Sequence, residues 1–136
     1  MIRRLESALA LWAALIGISG IASAAAAAHL TSASSLNAAS LILLAHAPAI
    51  IACLAAVRAD LVSASAGRIA ALLLAFGATI FSGDIALRVF VGSPLFPMAA
   101  PSGGVILMIG WGFMGGGAAL RLFARKSPRD NDSRLG

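Results

Sequence analysis

Four long apolar stretches, separated by short polar connectors, dominate the chain. They run from about Leu5 to Ala28, Leu36 to Val57, Ile69 to Val91 and Pro101 to Phe123. Each has about 22 residues, which at about 1.5 Å per residue spans a hydrocarbon core of roughly 30 Å. Backbone groups in lipid must pair within their own segment, so runs of this length predict helices rather than strands. Ala and Leu, both strong helix formers, dominate the runs. The connectors, His29 to Ser35, Arg58 to Arg68 and Gly92 to Ala100, are short enough to make successive helices antiparallel. The expected fold is all-α, a compact four-transmembrane-helix bundle over residues 1–126, followed by a disordered polar tail over 127–136.

Composition supports lipid as the main solvent. Of the 136 residues 60% are hydrophobic and only 11% charged, with a mean hydropathy of +0.97. A soluble domain carries about 25% charged residues. The formal net charge of +5 does not spread over a polar face, so no nucleic-acid partner is expected. Arg3, Arg4, Arg58, Arg68, Arg121, Arg125, Lys126, Arg129 and Arg134 all fall at one side of the predicted bundle, and Arg88 alone lies toward the other. The positive-inside rule then predicts both termini in the cytoplasm. The basic start of the tail is also suited to anionic head groups. Cys53 is the single cysteine, so no intramolecular disulfide is expected, and its apolar surroundings suit a packed thiol.

The first segment has a second reading. Met1 to Arg4 form a basic start, Leu9 to Ile18 an apolar core, and Ala22-Ser23-Ala24 a small-residue cleavage site. That is the grammar of a signal peptide, but the apolar run continues to Ala28, longer than such a core. A weak internal echo pairs Gly17 and Gly20 in the first span with Gly77 and Ser82-Gly83 in the third.

Polar residues inside apolar segments are the candidates for function. His46 lies near the middle of the second span, two residues before Pro48, which removes an N–H and obstructs a bond to the Leu44 carbonyl. The imidazole either satisfies a group at this defect or serves a proton relay, metal, haem or quinone. Metal sites need several ligands, and the other histidine, His29, closes the first span, so no cofactor is expected. Asp84 and Arg88 are four residues apart, acid first, the favourable order for an ion pair; a polar lining is the alternative. The first, second and fourth spans proper are read as free of carboxylates, which argues against a small multidrug exporter working through a first-helix acid. In the glycine-rich fourth span Gly103, Gly104, Gly112 and Gly116 are read as helix-packing positions, the last two in a GxxxG spacing that suits internal packing or an interface for self-association or a partner. Trp111 needs a partner for its indole N–H. Pro101 suits the first turn of the fourth helix, and Ser102, Gly103 and Gly104 then place N–H groups at its start, an anion-site geometry.

Several blocks together carry a resemblance. They are Ala28-His29, Ala45-His46-Ala47, Phe81-Ser82-Gly83, Ala100-Pro101-Ser102-Gly103-Gly104 and Gly110-Trp111. On these the chain resembles, from Ile16 to Leu122, the domain-of-unknown-function 423 family of small bacterial inner-membrane proteins. It departs from the family pattern at Ala45, Asp84 and Ala100. The resemblance implies an uncleaved first helix, four spans and a plasma-membrane location, and it implies no reaction.

The expectation is a non-enzymatic protein of the bacterial inner membrane. It has no nucleophile–base pair, and its connectors are too short to wall a site. An accessory, assembly or structural subunit of a membrane complex is the first expectation. The alternative is a small-molecule or ion carrier or channel with its polar site around His46.

Overall fold

The structure, a computed structural model, describes residues 2–30 and 34–124. The tail expected over 127–136, with Arg125, Lys126, Arg129 and Arg134, lies outside the described residues. Four helices follow one another: α1 (Ile2–His29), α2 (Leu36–Arg58), α3 (Ala64–Phe90) and α4 (Ala99–Ala124). Each is long and apolar enough to cross a membrane, so this is a multi-pass membrane protein with four candidate spans.

The helix ends depart from the apolar boundaries where polar residues continue the helical ladder. α3 starts at Ala64, five residues before the apolar run, and carries Arg68 as a helical residue. It stops at Gly92, whose φ of 77° is a conformation that suits a residue without Cβ. Gly92 there donates its N–H to the Leu87 carbonyl at 3.1 Å. α2 stops before Asp60, at φ 57°, a value that Asp tolerates better than most residues. α4 opens at Ala99, so Pro101 falls within its first turn, where a missing N–H leaves no helical bond unmade.

Contacts between ends define an up-down-up-down topology. Glu6 near the start of α1 meets Arg58 at the end of α2 and Arg68 near the start of α3. Arg121 near the end of α4 meets Asp60 in the α2–α3 connector at 2.7 Å. At the opposite end, the Ser82 hydroxyl of α3 donates to the Ala39 carbonyl of α2 at 3.2 Å.

The packing is not a square of four equivalent helices. α3 lies in the middle: it packs extensively on α2 and α4 and touches α1 along a smaller interface. α2 covers α1, and α1 makes no comparable contact with α4. The reason is the small-residue composition of α3, where Ala70, Ala71, Leu74, Ala75 and Ala78 are fully buried and admit neighbours on several sides. Leu9, Ala13 and Ile16 of α1, Leu43, Ile50 and Cys53 of α2, and Leu107 of α4 complete the core. The large apolar side chains left exposed, among them Leu11, Ile18, Leu41, Met108 and Leu122, are those a bilayer would cover.

Candidate functional site

His46 on α2 is buried, and both ring nitrogens are engaged. Nδ1 lies 2.7 Å from the Ile42 carbonyl, one turn back in its own helix. The Trp111 indole N–H donates to Nε2 at 3.3 Å, with the rings edge-on at a centroid distance of 6.2 Å. A carbonyl only accepts, so the proton belongs on Nδ1 and Nε2 is the acceptor. The Nε2 lone pair is directed at Trp111. The partner that the indole N–H needs is thus the imidazole of His46. His46 also serves the Ile42 carbonyl rather than the Leu44 carbonyl exposed by Pro48. His29, the last residue of α1, is exposed and distant from this pair in sequence and along its helix.

Asp84 is fully buried and accepts bonds from its own helix and from the outer connector. Arg88, half exposed, donates from Nε at 2.8 Å, and the backbone N–H of Leu95 donates at 2.8 Å. The carboxylate therefore ties the Pro94–Pro97 connector down onto α3. This second partner had no signal in the sequence, because it comes from a backbone group eleven residues away. The Ser102–Gly104 turn is not an open cradle: Ser102 already donates its N–H to the Met98 carbonyl at 3.0 Å and its hydroxyl to Ala99 at 2.8 Å.

Glu6 corrects the reading that the first span has no carboxylate. It lies inside α1 and is buried. Its Oε2 accepts from Arg58, Nε at 3.2 Å and a terminal nitrogen besides, and its Oε1 accepts from Arg68 Nε at 3.1 Å. Gly67 makes this possible, since a Cβ there would run into the Val57 side chain and hold α3 away from α2. The detectable signal was a lone acid one residue inside an apolar run whose same-side loop is bracketed by two arginines. The acid sits at the basic end of the bundle and is neutralised there, unlike a mid-span exporter carboxylate.

The glycines of α4 divide in two. A Cβ on Gly103 would stand 2.6 Å from the Phe81 backbone nitrogen and 2.9 Å from the Gly77 carbonyl oxygen. One on Gly110 would meet Leu74 at 2.9 Å, and one on Gly117 would meet Val62 at 2.6 Å and Ala66 at 2.7 Å. Gly112, Gly115 and Gly116 have nothing within 4 Å of that position. Internal packing is thus not the role of Gly112 and Gly116, because the α3-facing seam runs through Gly103, Leu107, Gly110, Met114 and Gly117. That is the 4-3-4-3 spacing of helices crossing at a shallow angle. Gly104 only reaches ordinary contact with Phe81, at 3.9 Å.

Grooves open on the surface among the described residues. One, about 720 Å³, runs between α3 and α4 beside Ser65, Ala66, Ile69, Gly112, Phe113 and Gly116. A second, about 360 Å³, lies between α1 and α3 and carries the hydroxyls of Ser19, Ser23, Thr79 and Ser82. Its inner edge is closed by Trp12, which donates to Thr79 Oγ1 at 3.2 Å and stacks edge-on against Phe76. A third, about 280 Å³, lies between α1 and α2 at the basic end. None of the three is lined by His46. Cys53 is buried among core residues. Among the described residues, no three His, Cys, Asp or Glu side chains are grouped so as to hold a metal ion.

Residues 22–104 match the family model described as "Protein of unknown function (DUF423)". The match takes in His29, His46, Asp84, Arg88, Gly103 and Gly104, and it ends before the Gly110-Trp111 block included in the resemblance. No curated protein and no solved structure matches the chain. The matched segment is more than half of the 136 residues, and the four-helix chain therefore belongs to the DUF423 family.

Proposed function

We propose that the chain is a non-catalytic integral subunit that assembles with transmembrane helices of a larger complex in the bacterial inner membrane, with both termini cytoplasmic. The observation that carries this reading is the outward face of α4. Gly112, Gly115 and Gly116 stand there with no neighbour, beside an apolar groove of about 720 Å³. Helices in lipid associate by close van der Waals approach, which small residues allow. The polar inventory supports a structural role, since His46, Glu6 and Asp84 are each committed to partners that join helices or a connector. The orientation rests on the concentration of Arg and Lys at one end.

The test is purification of the tagged protein from its own host in native nanodiscs, with mass spectrometry of what travels with it. A stoichiometric partner, lost from the Gly112→Leu/Gly116→Leu variant but not from the parent, supports the reading. A homogeneous monomer or homo-oligomer without partners overturns it in favour of a small carrier.

That second reading, a small-molecule or ion carrier or channel, draws on the four hydroxyls of the α1–α3 cleft rather than on His46. Unchanged flux of every tested solute in a Ser19→Ala/Thr79→Ala variant would remove it.

A further inference from the structure

We infer that the groove between α1 and α2 at the basic end is a binding site for an anionic glycerophospholipid, with its phosphate at Arg58 and one acyl chain along the groove. Two independent features of the site point to that occupant.

The first is unbalanced charge. Glu6 is shared by Arg58 and Arg68, so one carboxylate faces two guanidinium groups. Arg121 is matched separately by Asp60. An arginine has five N–H donors, and Arg58 directs only Nε and one terminal nitrogen at Glu6. Its side chain is still 62% exposed, at the edge of the groove. Arg3 adds to the same end: it lies one turn before Ser7, on the same face of α1, and its carbonyl accepts the Ser7 hydroxyl at 3.0 Å. Arg3 is itself exposed. A phosphate diester presents the paired oxygens that the remaining guanidinium donors fit.

The second is the gradient along the groove. Starting from Glu6, Ser7 and Arg58, its walls become apolar toward the middle of the bundle, through Ala10, Ala55, Leu54 and Ile51. Charge at the end of a span and hydrocarbon further in is the profile of an amphiphile standing in one leaflet. An inorganic phosphate would leave the apolar track unused, and an acidic soluble peptide could not enter it. The inference is independent of whether α4 engages a partner.

The test uses the full chain in detergent micelles, with native mass spectrometry counting retained lipids after additions of phosphatidylglycerol or phosphatidylcholine. The wild type should retain phosphatidylglycerol roughly five-fold more than phosphatidylcholine, the preference expected of one arginine's contribution near an anionic head group. Arg58→Ala should abolish the preference. Since that change also strips a partner from Glu6, Ala55→Trp provides a second probe: Ala55 is exposed and its enlargement fills the apolar track while leaving both ion pairs in place. Ala55→Trp should lose phosphatidylglycerol, and Arg88→Ala, at the opposite end, should retain it. Equal retention of the two lipids by the wild type overturns the site. So does undiminished binding in Ala55→Trp, or displacement of the lipid by millimolar inorganic phosphate or by an acidic peptide, which would make it a head-group or protein-docking site instead.

Discussion

The two glycine faces of α4 have the same composition and opposite environments. Gly103, Gly110 and Gly117 press against α3 so closely that a single added carbon would overlap its backbone or side chains. Gly112, Gly115 and Gly116, interleaved with them in sequence, look onto open space. On the first face the missing side chains set the distance between two helices. On the second they set nothing within the chain, so whatever they favour involves something outside it. Glycine weakens a helix by roughly 0.5–1 kcal/mol relative to alanine, and close packing of α4 on α3 offsets that only for the inner three.

Substitution on the two faces should separate them sharply. Gly103→Leu should have the largest effect, about 3 kcal/mol or the loss of folded protein, at the upper end of overpacking costs because backbone atoms of Phe81 and Gly77 have nowhere to go. Denaturant unfolding in bicelles measures it, and a variant as stable as the parent would falsify the seam. Gly110→Ala should cost less, roughly 1–2 kcal/mol, since the obstructing atoms belong to the Leu74 and Leu73 side chains, which can shift. The same unfolding assay ranks it against Gly103→Leu, and a reversed order would mean that α4 crosses α3 at a different point.

A smaller effect is expected from the polar link of Trp111 on α4 to His46 on α2. A double-mutant cycle on Trp111→Phe and His46→Ala should return a coupling of about 0.6 kcal/mol, the average for interhelical hydrogen bonds in lipid. A coupling indistinguishable from zero would mean that the indole and imidazole are not bonded. Least of all, Gly112→Leu/Gly116→Leu should shift the stability of the isolated chain by no more than about 0.5 kcal/mol. Cross-linking or nanodisc purification of the same variant should nevertheless show lost association. A large destabilisation without a partner present would place these glycines inside after all.

Much of the fold was legible from hydrophobic runs alone, and the four helices fall within a few residues of them. The candidate residues were legible as residue types, and as a pair only where one helical turn separates the partners, as for Asp84 and Arg88. His46 stood out because it is ionisable and mid-span, yet its partner Trp111 is 65 positions away. Glu6 carries little signal, because one acid at the edge of an apolar run reads as interface. Only the meeting of three helix ends shows it holding two arginines. Trp12 and Thr79 gave no signal either, since each is an ordinary member of its own span.

The sequence by itself determined four membrane-length helices, their alternation and the concentration of positive charge at one end. These follow from run length, connector length and composition, which are local properties. Tertiary structure decided that α3 occupies the centre, which α4 glycines touch it, and which distant polar groups join. In a soluble helix a polar stripe marks the outside. Here lipid and core are equally apolar, so helical spacing shows which residues share a face but not where that face points.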